Sequence, residues 1–208
     1  MNLATAVAAA LFQVLLFALV PFLAYVVTRR RVRGFGHYVG VRPCPPSALV
    51  PASVVFLITA PLAAGVYLIP SLRAVALSGT SAASGIATLD VAPSAFAIIV
   101  VVAFIQTGLA EELLFRGFLA KRLIARLGFQ RGNALQALLF VAPHLLLFVG
   151  PQGAVLAPSG VALVVVTSAG MAWLFGWLNE RRGDGSIIPS WLTHGMANTL
   201  AYSLALLL

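Results

Sequence analysis

Charged side chains, acidic side chains and cysteine are all scarce in this chain. Only 9% of its 208 residues are charged, whereas a soluble domain usually carries about a quarter. Five acidic residues stand against thirteen basic ones, and 61% of the residues are hydrophobic. The single cysteine, Cys44, excludes an internal disulfide framework and any metal site built from two or four cysteines. The composition therefore argues against an ordinary soluble domain and predicts an integral membrane protein.

Long apolar runs recur along the chain. Six of them are long enough for a helix to cross a hydrocarbon core of about 30 Å, which takes roughly 20 residues. The predicted spans are 3–28, 48–70, 93–114, 132–150, 159–179 and 186–207. No alternating pattern typical of a membrane barrel is present, so the predicted fold class is an all-α polytopic membrane helix bundle. The first run is longer than the apolar region of a signal peptide, and we expect a retained span.

The net charge of +8 would suit a nucleic-acid partner if it formed one continuous basic surface. Instead, twelve of the thirteen basic residues follow spans one, three and five, and only Arg73 lies elsewhere. Loops rich in arginine and lysine face the cytoplasm. We therefore expect a bilayer rather than nucleic acid as the partner, and both termini outside. The many arginine and alanine residues suggest a bacterial or archaeal plasma membrane.

Two segments that connect the predicted spans differ from the spans in composition. Ser71–Asp90 is small and polar, and we expect an exposed outer loop with at most one short interfacial helix. Gly117–Gly132 mixes apolar and basic residues at helical spacing, which predicts a segment along the cytoplasmic interface.

A few ionisable groups remain inside the predicted spans. Glu111 and Glu112 lie in span three, His144 in span four and His194 in span six. Such groups are costly in lipid and favour a functional explanation. A rise of about 1.5 Å per residue allows them all, together with Asn198, to meet in the cytoplasmic half of the membrane. A cavity open to the cytoplasm would let water reach them.

The spacing of these groups suggests separate tasks. Glu112 and Arg116 are four residues apart, so they should pair on one helix face. Glu111 is rotated by about 100° from Glu112, so its carboxylate can point into a pocket as a base. His194 and Asn198 are also four apart and share a face.

Phe140 and His144 form a similar pair in span four, where Pro143 should bend the helix beside the histidine. Each polar group has a structural alternative, since a histidine can bond a neighbouring helix and Phe140 can serve in packing. However, one polar contact between membrane helices contributes only about 1 kcal/mol or less. That gain is a weak reason to collect two histidines and two carboxylates at one depth.

Three short motifs carry a resemblance to a known family. They are "EELLFR" at 111–116, "FVAPH" at 140–144 and "HGMAN" at 194–198. In type, order and spacing they resemble the motifs of the type II CAAX prenyl endopeptidase and bacteriocin-processing family (CPBP, also called Abi) of intramembrane glutamate proteases. The resemblance covers about 104–204. It divides the chain into two N-terminal spans with an outer loop, 1–92, and a catalytic four-helix core, 93–208.

The resemblance implies roles for the motif residues. Glu111 would activate a water molecule with the help of His144, while His194 and Asn198 would stabilise the oxyanion. The supporting residues would be Glu112, Arg116 and Phe140. The implied substrate is a membrane-associated protein or peptide, including one with a lipidated or hydrophobic C-terminus, and the implied reaction needs no metal or other cofactor.

The residues themselves leave other interpretations open. Two histidines and two carboxylates could ligate zinc in a metalloprotease, although the chain lacks the His-Glu-x-x-His pair. Glutamate and histidine chains also relay protons in transporters. A non-catalytic scaffold or immunity protein could keep the fold without needing Glu111.

Overall fold

A computed structural model describes residues 1–78, 81–146 and 158–208, so the end of predicted span four, 147–150, lies outside the described residues. The described chain is helical and contains no strand, which confirms the predicted all-α class. Its helices, including two π-helices, are α1 (Leu3–Arg29), α2 (Phe35–Tyr38), α3 (Leu49–Leu68), α4 (Pro70–Ala76), α5 (Ala82–Ala87), α6 (Pro93–Val101), π1 (Val102–Leu109), π2 (Glu112–Ala120), α7 (Lys121–Leu145), α8 (Pro158–Arg181) and α9 (Ile188–Leu207). A short 3-10 helix, Pro46–Ala48, directly precedes α3.

Several helical segments are long and apolar enough to cross a membrane. Within the described ranges there are four: Leu3–Arg29, Pro46–Leu68, Pro93–Leu145 and Pro158–Arg181. The third is 53 residues long and includes predicted span three and most of span four. Helix α9, the predicted sixth span, is not among the four, since polar side chains such as His194 and Asn198 interrupt its apolar residues. The chain is a multi-pass membrane protein.

The 53-residue segment changes direction at Gly128. This residue has φ 75° and ψ 166°, a backbone conformation that glycine adopts without a steric cost. A Cβ added at Gly132 would lie 2.5 Å from backbone atoms of Ile124, so the two arms of the turn touch closely. Helix α7 therefore turns back and packs beside π2.

Connectivity then divides the bundle into two sides. One side carries the end of α1, the turn at Gly128 and the α8–α9 connection, and we call it the basic side. The opposite, charge-poor side carries α4 and α5, which link the end of α3 to the start of α6. This arrangement places the helices that carry the three motifs between two chemically different surfaces.

Large apolar side chains cover much of the outer surface of the bundle. On α1, Leu11, Phe12 and Leu15 are each more than half exposed, whereas Ala6 and Ala10 are buried. Helix α1 packs against α6 and π1. Small residues allow membrane helices to approach closely, and large apolar ones suit contact with lipid chains. The distribution is that expected for a helix at the rim of a membrane bundle.

The expectation of an exposed outer loop at Ser71–Asp90 is wrong. This segment contains α4 and α5, which pack against α3 and α9 respectively. Leu72 is 2% exposed and Ile86 is fully buried. The average polarity of the segment is misleading, because its few large apolar residues all point at the bundle.

The connection between α2 and α3 ties together two helices on the basic side. A Cβ added at Gly117 of π2 would lie 2.4 Å from the carbonyl oxygen of Val39. The carbonyl of Gly40 accepts a hydrogen bond of 2.9 Å from the amide of Ile187, at the start of α9. A Cβ at Gly40 would meet the carbonyl of Gly185 at 2.7 Å. We call residues 39–42 the basic strap, because they join π2 to the entry of α9.

Candidate active site

The two adjacent glutamates lie where the helix has π-geometry. Glu111 falls between π1 and π2, and Glu112 is the first residue of π2. A π-helix widens the backbone spacing and is frequent at functional sites. Here the carbonyl of Phe104 in π1 accepts a 2.6 Å hydrogen bond from the indole nitrogen of Trp191 in α9. The irregular helix is thus fixed directly to the helix that carries the third motif.

Glu112 is the centre of a fully buried polar cluster. Its Oε1 lies 3.2 Å from Nη1 of Arg116 and 3.1 Å from Nδ1 of His194. Its Oε2 accepts a hydrogen bond of 2.5 Å from the hydroxyl of Ser190. Glu112 and Ser190 are fully buried and Arg116 is 1% exposed. The predicted pair of Glu112 and Arg116 is present, and this carboxylate has partners at both oxygens.

Arg116 lies between two aromatic rings as well as beside Glu112. Its guanidinium carbon is 4.2 Å from the ring centroid of Phe140 and 5.2 Å from that of Phe175. Its three side-chain nitrogens make no hydrogen bond to the residues that the structure describes. The ion pair and the two cation–π contacts are therefore its principal stabilising interactions. Phe140, predicted as a supporting residue, has a clear structural task here.

His194 lies between the two glutamates. Its Nδ1 faces Glu112, and its Nε2 is 3.8 Å from Oε2 of Glu111. A carboxylate only accepts hydrogen bonds, so the contact with Glu112 places a proton on Nδ1. The side chain of Glu111 is 19% exposed, in contrast to that of Glu112. Three of the predicted site residues, from two helices, are thus brought together.

Ser190 and Asn179 complete the cluster, and sequence reasoning missed this role for both. The side-chain amide of Asn179 donates a 2.7 Å hydrogen bond to the hydroxyl of Ser190, and the backbone amide of Ser190 donates to Oδ1 of Asn179 at 3.2 Å. These bonds join α8 to α9. One signal was available in the sequence, because Ser190, His194 and Asn198 follow one another at intervals of four on α9.

Asn198 is one turn further along the same face of α9. Its side-chain amide donates a hydrogen bond of 2.9 Å to the hydroxyl of Thr107 in π1, another residue that sequence reasoning missed. The amide carries a second N–H, which can serve another acceptor. Space beside Gly195 is filled by Phe104, whose ring would lie 2.4 Å from a Cβ added there. This close approach holds π1 against the motif face of α9.

His144 is near the end of α7. Its Nδ1 is 2.9 Å from the carbonyl oxygen of Phe140, which can only accept, so Nδ1 carries the proton and Nε2 remains an acceptor. Within the described part of the chain, His144 forms no ion pair with Glu111 or Glu112. His144 instead shares a cavity with His194 and Asn198.

That cavity has a volume of about 250 Å³. Besides the motif side chains it is lined mainly by apolar residues of α3, α4, α5 and α8. Sequence reasoning predicted a cavity that opens to the basic, cytoplasmic side. The described lining lies in the charge-poor half of the bundle, and the side of the membrane that this half faces stays a prediction.

The contacts of Glu112 can be compared with the geometry of a zinc site. Zinc ligands lie at about 2.0–2.3 Å from the metal and converge on one point, whereas both oxygens of Glu112 already have other partners. No group of three or more histidine, cysteine, aspartate or glutamate side chains that could hold a metal ion occurs in the described ranges.

Comparison with known families identifies the family of this chain. The sequence model for the type II CAAX prenyl endopeptidase Rce1-like family matches residues 93–200, which is more than half of the chain. The chain belongs to this family. The Rce1-like region runs from α6 into α9 and contains every motif residue described above, whereas α1 to α5 precede it. No curated protein and no solved structure matches the chain. As an Rce1-like protein it is a member of a membrane protease family.

Proposed function

We propose that this protein is an intramembrane endopeptidase that hydrolyses a peptide bond with a water molecule activated by Glu111. The contrast between the two adjacent glutamates carries the proposal. Glu112 is buried and bonded at both oxygens, whereas Glu111 is partly exposed and 3.8 Å from Nε2 of His194. A carboxylate with a free oxygen beside an imidazole is suited to general-base catalysis.

In the proposed reaction, Glu111 takes a proton from water while the water oxygen attacks the scissile carbonyl carbon. His144 assists through Nε2, the nitrogen left without a proton. The carbonyl oxygen becomes an oxyanion, which the second N–H of Asn198 and the ring of His194 would stabilise. When the carbon–nitrogen bond breaks, Glu111 returns the proton to the leaving nitrogen. The products are a carboxylic acid and an amine, and no metal or other cofactor takes part.

The remaining motif residues would hold these groups in place. Glu112 and Arg116 fix the ring of His194, and Phe140 packs on Arg116 and beside His144. The proposed substrate is a membrane-associated protein or peptide, including one with a lipidated or hydrophobic C-terminus, as the family description suggests.

We also propose six membrane crossings, with α9 as the sixth and both termini outside. The basic side would then face the cytoplasm of a bacterial or archaeal cell, and the protein would lie in the plasma membrane. The support is the distribution of charge, since twelve of thirteen basic residues follow predicted spans one, three and five.

The substitution Glu111→Gln tests the reaction. It keeps the size of the side chain and removes the base, so turnover should fall by about 10²–10⁴-fold. Membrane proteomes of cells that make the wild type or the variant would be compared for peptide fragments with new termini. We expect fragments that appear with the wild type and are lost with Glu111→Gln.

Glu180→Gln is the matched control. Glu180 pairs with Lys121 at 2.7 Å on the basic side and is partly exposed, and such pairs contribute little. It should leave the fragments unchanged. Equal fragments from wild type and Glu111→Gln would refute Glu111 as the base. Loss of fragments on adding a chelator, with recovery on adding zinc, would refute a metal-independent reaction.

A further inference from the structure

A separate cleft lies on the basic side of the bundle, between the turn at Gly128 and the C-terminal part of α8. It has a volume of about 400 Å³ and shares no lining residue with the cavity beside His194. Gln130, Arg181 and Arg182 are exposed, so the cleft opens at the protein surface. Its described lining combines two arginines, three aromatic residues and one amide: Phe129, Gln130, Trp173, Trp177, Arg181 and Arg182.

Buried polar contacts between α7 and α8 fix the walls of this cleft. The side-chain amide of Asn133 donates to the carbonyl of Trp173 at 2.9 Å, and that of Gln136 donates to the carbonyl of Ala172 at 2.9 Å. Asn133 and Gln136 are fully buried. A Cβ added at Gly176 would overlap Oδ1 of Asn133, so the two helices approach closely. The cleft is therefore a fixed feature of helix packing.

Aromatic rings hold the two arginines of the cleft. The guanidinium carbon of Arg181 lies 4.3 Å from the ring centroid of Phe129, and that of Arg182 lies 5.2 Å from the ring of Trp177. Phe129 in turn packs edge-on against Trp173, with 6.0 Å between the ring centroids. A guanidinium that stacks on a ring uses its flat face. The N–H groups in its plane therefore stay available to an acceptor.

The acidic residues nearest in the chain do not neutralise these arginines. Glu180 precedes Arg181 but pairs with Lys121 at 2.7 Å. Neither Asp184 nor the two arginines form an ion pair with any residue that the structure describes. The described lining also contains no carboxylate. Within the described part of the chain, the cleft thus keeps two positive charges without a counter-ion from the protein.

We propose that this cleft binds the phosphate of an anionic phospholipid headgroup. Arginine presents several N–H donors in a plane that matches the oxygens of a phosphate. Basic pockets between membrane helices are suited to lipid headgroups, and tryptophan is favoured at the level where headgroups lie. Arg181 and Arg182 would bind the phosphate, while the rings of Trp173 and Trp177 would contact the glycerol and the first carbons of the acyl chains.

The aromatic part of the lining favours a lipid over a soluble phosphate compound. A soluble anion would meet the same two arginines but would leave the apolar rings without a partner. A phospholipid supplies both the charge and the apolar surface, and it is always present beside a membrane protein. This proposal does not depend on the peptidase reaction, so either can fail without the other.

Native mass spectrometry of the intact protein in detergent tests the proposal. The probes are phosphatidylglycerol, phosphatidylcholine and glycerophosphoglycerol, which is the phosphatidylglycerol headgroup without acyl chains. We expect the wild type to bind phosphatidylglycerol about tenfold or more tightly than either of the other two. The double variant Arg181→Gln/Arg182→Gln should lose about tenfold or more of this affinity, because charge-assisted hydrogen bonds to the phosphate are removed.

Two further double variants separate a defined site from general attraction to a basic surface. Arg29→Gln/Arg30→Gln removes the same charge at the end of α1, where both arginines are exposed. It should change the affinity by less than about twofold, since exposed charges are screened. Arg181→Lys/Arg182→Lys keeps both charges but removes the planar donors, and it should weaken binding by about threefold or more.

Three results would overturn the proposal. The first is an equal loss of affinity in the two glutamine variants, which would indicate diffuse attraction to the basic side. The second is wild-type affinity in the lysine variant, which tests the site even if removal of both charges disturbs folding. The third is equally tight binding of glycerophosphoglycerol, which would assign the cleft to a soluble phosphate compound.

Discussion

The site consists of two regions that meet at His194 and differ in almost every property. Towards the basic side, Glu112, Arg116, Ser190 and Asn179 are buried and joined by short contacts. Towards the charge-poor side, the cavity is lined by His144 and Asn198, each of which has a polar atom without a partner among the residues that the structure describes. We call the first the closed cluster and the second the cavity region.

The difference between the regions follows from the cost of burying charge. A buried ion is tolerated only when it is paired and hydrogen-bonded, and removing one member leaves the other uncompensated. Glu112 meets this condition, whereas Arg116 is stabilised by the ion pair and by the rings of Phe140 and Phe175. The closed cluster thus holds His194 in one orientation. Catalysis needs the opposite, since a base or donor whose every atom is already bonded cannot act on a substrate. Substitutions in the closed cluster should therefore mainly lower the stability of the protein, and substitutions in the cavity region should mainly lower turnover.

Arg116→Met should produce the largest effect on stability. It removes the ion pair at 3.2 Å and leaves Glu112 charged in a fully buried position, which typically costs about 3–5 kcal/mol. Thermal or denaturant unfolding in detergent would measure the loss. Arg181→Met is the matched control, because Arg181 lies 4.3 Å from the ring of Phe129 but is exposed. Similar losses in the two variants would mean that the closed cluster does not stabilise the fold.

Asn198→Ala should instead lower turnover by about 10²–10³-fold, the usual effect of removing one oxyanion donor. Stability should change less than in Arg116→Met, since one hydrogen bond, to Thr107, is lost. Fragment production and unfolding would be measured on the same preparation. Thr199→Ala is the control, because among the described residues its hydroxyl bonds only the carbonyl of Gly195 in its own helix. Unchanged turnover in Asn198→Ala would contradict the assignment of Asn198 to the cavity region.

Ser190→Ala should have the smallest effect of the three substitutions, and it should lower both stability and turnover. It leaves one oxygen of Glu112 and the amide of Asn179 without their partner, which costs about 1–3 kcal/mol. Turnover should fall as well, because His194 loses part of its support. Ser53→Ala is the control, since Ser53 is exposed and, within the described ranges, its hydroxyl bonds only the carbonyl of Leu49 in its own helix. If both serine variants unfold alike, Ser190 is not part of the closed cluster.

Local spacing predicted the parts of the site that lie on one helix. The Glu112–Arg116 pair, and the common face of His194 and Asn198, follow from helical periodicity and are present in the structure. Spacing along the chain could not reveal that Asn179 of α8 bonds Ser190 of α9, or that Asn198 of α9 bonds Thr107 of π1. These contacts depend on the π-geometry around Glu111 and on the distances between helices, and neither quantity is a local property of the chain.

Composition was similarly informative about the class of fold and less so about its details. It indicated a helical membrane protein, because only paired backbone groups are tolerated in lipid. It was wrong about Ser71–Asp90, where a few apolar residues bring α4 and α5 onto the bundle. The position of the cavity could not be read from composition either, since it depends on which half of the bundle the buried cluster fills.

The amino-acid sequence alone determined the membrane environment, the helical class, the grouping of basic residues and the identities of the motif side chains, because these follow from hydropathy and from spacing along a helix. Only the tertiary structure decided which glutamate is enclosed, how His194 is held and on which side of the cluster a cavity remains. Those outcomes depend on how separate helices pack, and packing brings together residues that are far apart in the chain.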